Sequence, residues 1–155
     1  MMSPLFVRPG PEAEYFGPVC HEVLGPWFAE RGFVPADSLI NATLVVWRSR
    51  KFFVEVNYWP SDRPDFYVMV GLGFIRDLPP SFMVIPRKPD RSGIGLWEAV
   101  TDDEDRAVLA DTFRDEAGLR RLLGRIRDCA LGYAEPLLGD VEAMKQAIRN
   151  RKRPG

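Results

Sequence analysis

Apolar residues come in pairs near the start of the chain: Tyr15/Phe16, Val19/Cys20, Val23/Leu24, Trp27/Phe28. A repeat of this spacing lays one broad apolar stripe along an α-helix. Pro11 suits the first turn, Glu12 and Glu14 suit the positive end of the helix dipole, and Arg31-Gly32 supplies a stop. Pro18 and Gly25-Pro26 are expected to bend this helix or split it into two pieces.

The pattern then changes to alternation. Strands are expected at 33–35, 42–49, 52–59 and 66–75, with Arg50-Lys51 turning the second into the third and the Pro/Asp-rich stretch 60–65 forming a loop. Shorter strands are expected at 5–7, at 82–85 between prolines and at 96–100, with a loop over 86–95. Thr101-Asp102-Asp103-Glu104 fits a capping box, so a helix from 102 to about 113 is expected, with a strand over 107–113 as the alternative. Asp115 or Thr112 then starts a helix in which Leu119, Leu122, Leu123, Ile126, Ala130 and Tyr133 recur at helical spacing, ended by Pro136 and Gly139. Asp140 caps a last amphipathic helix carrying Val141, Met144 and Ile148, and the tail from Arg149 should fray. The pattern predicts an α+β fold: a mostly antiparallel sheet of about four to six strands, with an N-terminal helix and C-terminal helices packed mainly on one face.

Alternation also divides the central strands between two faces. Phe52, Val54, Val56 and Tyr58 match Phe66, Val68, Val70, Leu72 and Phe74 on an apolar face that needs the helices. The opposite face carries Phe53, Glu55, Asn57 and Trp59 beside Tyr67, Met69, Gly71 and Gly73, and Trp47 joins them if the same register extends to the preceding strand. Solvated faces are poorer in large rings, whereas interfaces are rich in Trp, Tyr, Phe and Met. Two arrangements fit. Either a helix or the 76–95 loop covers this face as a second core layer, or Trp47, Phe53, Glu55, Asn57, Trp59, Tyr67 and Met69 line a partly open groove for a protein or an apolar small molecule. The accessibility of Trp47, Trp59 and Tyr67 separates the two.

Length and composition bound the rest. At 155 residues the chain fits one domain, 1–155, with 1–10 and 150–155 expected to be flexible. A net charge of −1 supplies no bulk field for nucleic acid or anionic lipid, so neither is an expected partner. The N-terminal residues lack the basic and apolar regions of a signal peptide, and the run 66–75 is too short to span a bilayer, so the expected compartment is the cytoplasm. Cys20 and Cys129 stand far apart and outside any Cys-x-x-Cys pair, which favours two small buried hydrophobes.

No motif specifies chemistry. His21, the only histidine, falls opposite the apolar stripe with glycines four residues away on either side, which predicts a solvated side chain and no catalytic or zinc role. Gly71-Leu72-Gly73-Phe74 lacks the third glycine of a dinucleotide fingerprint, and although it spells a PDZ carboxylate-binding loop, the surrounding order departs from that family because here the tetrad ends the strongest strand. Its glycines are expected to let another backbone or a bulky ring approach the sheet. The run 50–58 faintly resembles the stacking strand of an RRM but lacks its glycine. Asp102 to Asp105 lacks the spaced ligands of a calcium loop. No metal and no cofactor is expected.

One resemblance is visible. Leu24-Gly25-Pro26-Trp27-Phe28-Ala29-Glu30-Arg31-Gly32-Phe33 is a helix running into Gly-Phe ahead of aromatic strands, and Gly132-Tyr133-Ala134-Glu135-Pro136-Leu137-Leu138 stands at a later helix end. The layout resembles small bacterial α+β proteins of unknown function, some of them similar to immunity proteins encoded beside secreted toxins. It covers most of the chain in order and rests on short structural motifs, so it places no site on particular residues. The resemblance implies the same fold and an immunity role. The expected function is thus a non-catalytic protein-binding role, with a small-molecule binder second and an enzyme using Glu55, Asp or Arg chemistry third.

Overall fold

The structure is a computed structural model and describes residues 10–36, 43–75 and 93–151. The expected strands at 5–7 and 82–85 lie outside the described residues.

Helix α1 (Ala13–Ala29) buries Phe16, Val19, Cys20, Leu24 and Phe28 along the paired stripe. It runs unbroken through Pro18 and Pro26, contrary to the expected bend or break. Both prolines are exposed and eight residues apart, so they share the outer face and the carbonyls they leave unpaired meet water. Each interior proline costs about 3 kcal/mol, while five buried apolar side chains contribute roughly 1.5–3 kcal/mol each, so burial wins. Gly32, at φ 83°, ends the helix. Phe33 N–H returns to Phe28 O (3.0 Å), Gly32 N–H returns to Ala29 O (3.1 Å), and the Phe28 and Phe33 rings meet at 5.9 Å.

Six strands follow: β1 (Val34–Pro35), β2 (Leu44–Arg48), β3 (Phe52–Pro60), β4 (Phe66–Phe74), β5 (Ile94–Gly95) and β6 (Thr112–Phe113). They form one antiparallel sheet in the order β1-β2-β3-β4-β5. β6 pairs with the start of β4, so β5 and β6 share its outer edge, at Gly71–Leu72 and Phe66–Tyr67. The α+β architecture, with its N-terminal helix, antiparallel sheet and C-terminal helices, is the one the pattern predicts.

The segment 96–100 is not the expected strand. Leu96–Ala99 is a single helical turn, α2, directly after β5. The Glu98 carboxylate accepts from Gly95 N–H at 2.9 Å and holds the turn's start, a local bond that competes successfully with the sheet. Helix α3 (Asp103–Leu109) is capped by Asp102, which accepts from Asp105 N–H at 3.0 Å. It stops four residues short of 113, and Thr112–Phe113 becomes β6, so the helix and strand readings each hold for part of the segment. Phe113 explains the switch: its ring lies 5.4 Å from Phe66, 5.9 Å from Tyr58 and 6.4 Å from Phe16, contacts a continued helix would forfeit.

Helix α4 (Glu116–Cys129) starts at Asp115, which accepts from Gly118 N–H at 2.7 Å, and buries Leu119, Leu122, Leu123 and Ile126 against α1 and the sheet. Arg120 ties it to α1 through Glu22. It ends before Tyr133, giving way to a 3₁₀ turn (Leu131–Tyr133) and the short helix α5 (Glu135–Leu138). Asp140 caps α6 (Val141–Arg151), which buries Met144 and continues beyond the expected fray point at Arg149.

Candidate partner-binding face

The β3–β4 register places the second-face residues as alternation predicts. Trp59 stands opposite Tyr67, Asn57 opposite Met69, Glu55 opposite Gly71 and Phe53 opposite Gly73. Trp47 does not join them. It pairs with Val54 and therefore lies on the helix-covered face, 1% exposed, stacked on Phe28 at 4.5 Å. The reason is turn length. Ser49 N–H bonds to Phe52 O (2.9 Å), leaving Arg50-Lys51 as a two-residue turn that pairs odd positions with even ones. The five-residue connection between β3 and β4 pairs like parity with like. The second-face residues of β2 are consequently Leu44, Val46 and Arg48.

This face is divided. Near the β2–β3 turn it is a small second core: Val46, Phe53 and Ala36 are buried, with Leu44 and Ile75 packed against them. Toward the other end it is open. Tyr67 is 40% exposed and Met69 43%, while Trp59, Asn57 and Glu55 are half-buried. Among the described residues, the other exposed large apolar side chains are Val34 on edge strand β1 and Trp97, which is 54% exposed.

Trp97 belongs to the same face, and the sequence reading missed it. Gly95 pairs with Gly71, so the missing side chains of both would point onto the second face. A Cβ on Gly95 would stand 2.7 Å from Trp97 Nε1, and one on Gly71 would stand 3.1 Å from Glu55 Oε1. The paired glycines thus form a bare floor on which the indole and the carboxylate rest. Gly93 allows the strand itself to approach, since a Cβ there would run into Leu72 O. The available signal was the matched Gly-x-Gly spacing, 71/73 and 93/95, although a loop is expected over 86–95 and Ile94–Gly95 instead forms β5.

Charge is distributed unevenly around this strip. Arg48, Arg50 and Lys51 are exposed at the β2–β3 turn. At the opposite end Asp65 accepts from Ser61 Oγ and from Thr112 Oγ1 (3.0 Å). The Ser61 bond first, then the Thr112 bond and the nearby Arg114 and Arg63, hold its carboxyl below the usual aspartate range. Among the described residues, Asn57 Oδ1 is buried without a hydrogen-bond partner.

The remaining chemistry-bearing groups are engaged elsewhere. His21 is half-buried, its ring edge-on to Trp47 at 5.2 Å, rather than freely solvated. Burial pushes its pKa below the ordinary value. Cys20 is fully buried and its thiol is pushed up by burial, while Cys129 is half-buried; both are free. Glu12 is buried and accepts from Gly10 N–H (2.9 Å) and Tyr58 Oη–H (3.0 Å). Burial, then that hydrogen bond, raises the Tyr58 pKa. Among the described residues no group of three or more His, Cys, Asp or Glu is placed to hold a metal ion, and no helix is long and apolar enough to cross a membrane.

In comparisons with known proteins, no family model, no curated protein and no solved structure matches this chain.

Proposed function

We propose that this chain is a non-catalytic binding protein that takes a partner protein on the open part of its second sheet face. One observation carries the reading: Tyr67 and Met69 are exposed at 40% and 43% on one sheet face, and Trp97, from the helical turn beside it, at 54%. Water contact with large side chains of this kind is unfavourable by roughly 25 cal/mol per Å² of apolar surface, and covering them is what a partner contributes. An immunity-like role, with a toxin as the partner, is the particular form implied by the resemblance in layout. The test is affinity capture from the native host using the wild-type chain and a Tyr67→Ser/Met69→Ser/Trp97→Ser variant of equal thermal stability. A stoichiometric partner recovered only by the wild type supports the reading. Equal recovery by both, or no stoichiometric partner, refutes it.

A second reading is favoured by Asn57. Among the described residues its Oδ1 is buried without a hydrogen-bond partner beside Met69, so a small apolar ligand that displaces the side chains covering it would satisfy it with one N–H or O–H donor. A thermal-shift screen of such compounds checks it. Hits abolished by Asn57→Leu support it, and a screen without hits counts against it.

A further inference from the structure

We infer that the partner is an acidic protein segment, with its apolar side chains on Tyr67, Met69 and Trp97 and its carboxylates at the β2–β3 turn. The inference rests on the binding-face reading above and specifies the partner's charge.

Three cations stand within four residues at that turn: Arg48, Arg50 and Lys51, all exposed. None has a carboxylate within ion-pair distance among the described residues, whereas on α4 Arg120 pairs with Glu22 and Glu116, Arg125 with Asp111 and Arg127 with Asp128. The turn is fixed rather than floppy. Ser49 N–H bonds to Phe52 O (2.9 Å), Phe52 N–H bonds to Ser49 Oγ (3.1 Å), and Ile75 N–H bonds to Lys51 O (2.8 Å). The cations are therefore presented with little backbone freedom left to lose, which favours a specific contact. Like charges held this close repel one another, and the chain as a whole has a net charge of −1, so the cluster is a local feature.

Arg48 connects the turn to the strip. It pairs with Phe53, on the same face as Tyr67 and Met69. The Trp59–Tyr67 row and the Arg48–Phe53 row are six residues apart along β3, roughly 20 Å at strand rise. The buried Val46–Phe53 core lies between the open end and the cations, so the segment meets exposed apolar side chains only at the open end. About six residues of extended chain, or about 13 of helix, cover that distance. A nucleic-acid strand fits less well, because Asp62 and Asp65 flank the strip's far end and a continuous phosphate backbone would meet negative charge there. A peptide can place apolar groups there and confine its carboxylates to the turn.

The probes are three fluorescein-labelled amphipathic 14-residue peptides and one single-stranded 12-nucleotide RNA, measured by anisotropy with the full chain. The peptides share one apolar pattern and carry glutamate at one end, lysine at that end, or serine in place of the apolar residues. The acidic amphipathic peptide should bind tightest and weaken with salt. Arg48→Glu/Arg50→Glu/Lys51→Glu should weaken it by about tenfold or more. Arg121→Glu/Arg149→Glu, at exposed positions on α4 and α6, should leave it unchanged. Loss in the Tyr67→Ser/Met69→Ser/Trp97→Ser variant but not in the turn variant overturns the charge assignment and leaves the face standing. Failure of every peptide, or indifference to both variants, overturns both readings. RNA binding tighter than the acidic peptide overturns the protein partner.

Discussion

Replacing Trp47 with Ala and, separately, Tyr67 with Ser separates the two faces of the sheet in one experiment. Trp47 is 1% exposed, stacked on Phe28 at 4.5 Å and edge-on to His21 at 5.2 Å. An indole buries about 150–250 Å², which at about 25 cal/mol per Å² is worth roughly 4–6 kcal/mol, close to the ~3–5 kcal/mol seen for large-to-small core changes. Tyr67 instead contributes a cross-strand pair with Trp59 and one with Thr112, each worth roughly 0.2–1 kcal/mol. Urea denaturation followed by circular dichroism reads both. With a slope of about 1–3 kcal/mol per molar, Trp47→Ala should lower the midpoint by at least about 1 M and Tyr67→Ser by well under that. Acrylamide quenching adds an independent check, since Trp97 should be quenched readily in the native state and Trp47 only on unfolding. Similar midpoint shifts for the two variants would refute the odd-to-even β2–β3 register and the divided face that follows from it.

Four further outcomes follow from particular contacts. Gly93→Ala drives a Cβ into Leu72 O, a backbone atom that cannot yield, and should detach β5 with a loss of about 1–3 kcal/mol by denaturant titration. Gly95→Ala displaces the exposed Trp97 indole rather than backbone, so it should weaken partner binding while changing stability less than Gly93→Ala. Tyr58→Phe removes the hydroxyl that bonds to buried Glu12 and should cost about 1.5–3 kcal/mol, with Glu12→Gln/Tyr58→Phe less than additive in a double-mutant cycle. For His21 the folded pKa is lowered by burial, so the unfolded chain binds the extra proton first. Stability should therefore fall as pH drops through about 6.5 toward the folded pKa, and His21→Gln should flatten that limb in pH-dependent thermal melts.

Much of the fold was legible because its signals are local and repeated. The paired stripe of α1, the alternation over β3 and β4, and the caps Asp115 and Asp140 each declare themselves within a few residues. The misses share a different cause, which is competition between a local preference and a distant contact. Pro18 and Pro26 argue locally for a broken helix, but they face water while the opposite stripe is buried. Thr112-Phe113 could have extended a helix, but the pocket among Phe16, Tyr58 and Phe66 draws Phe113 into the sheet. Trp47 was misplaced because the face of a whole strand depends on whether one turn holds an even or an odd number of residues. The glycines of β4 and β5 hid Trp97, since a bare position signals space without naming what fills it.

The same turn that misled the sequence reading also links stability to binding. Because Arg50-Lys51 is a two-residue turn, Trp47 goes to the helices and Arg48 to the opposite face. A turn longer by one residue would exchange them, exposing an indole and burying a guanidinium, and a buried unpaired charge is far more costly than an exposed ring. Lengthening the turn by one glycine is therefore a severe test. If the chain keeps its register and bulges at the insertion, Trp47 stays quenched only on unfolding and binding at the Tyr67 face survives. If the register slips, stability and binding should be lost together, because the cations and the strip would no longer share a face. Loss of binding with stability and Trp47 burial intact would instead show that the turn's own geometry, beyond its choice of face, is what the partner reads.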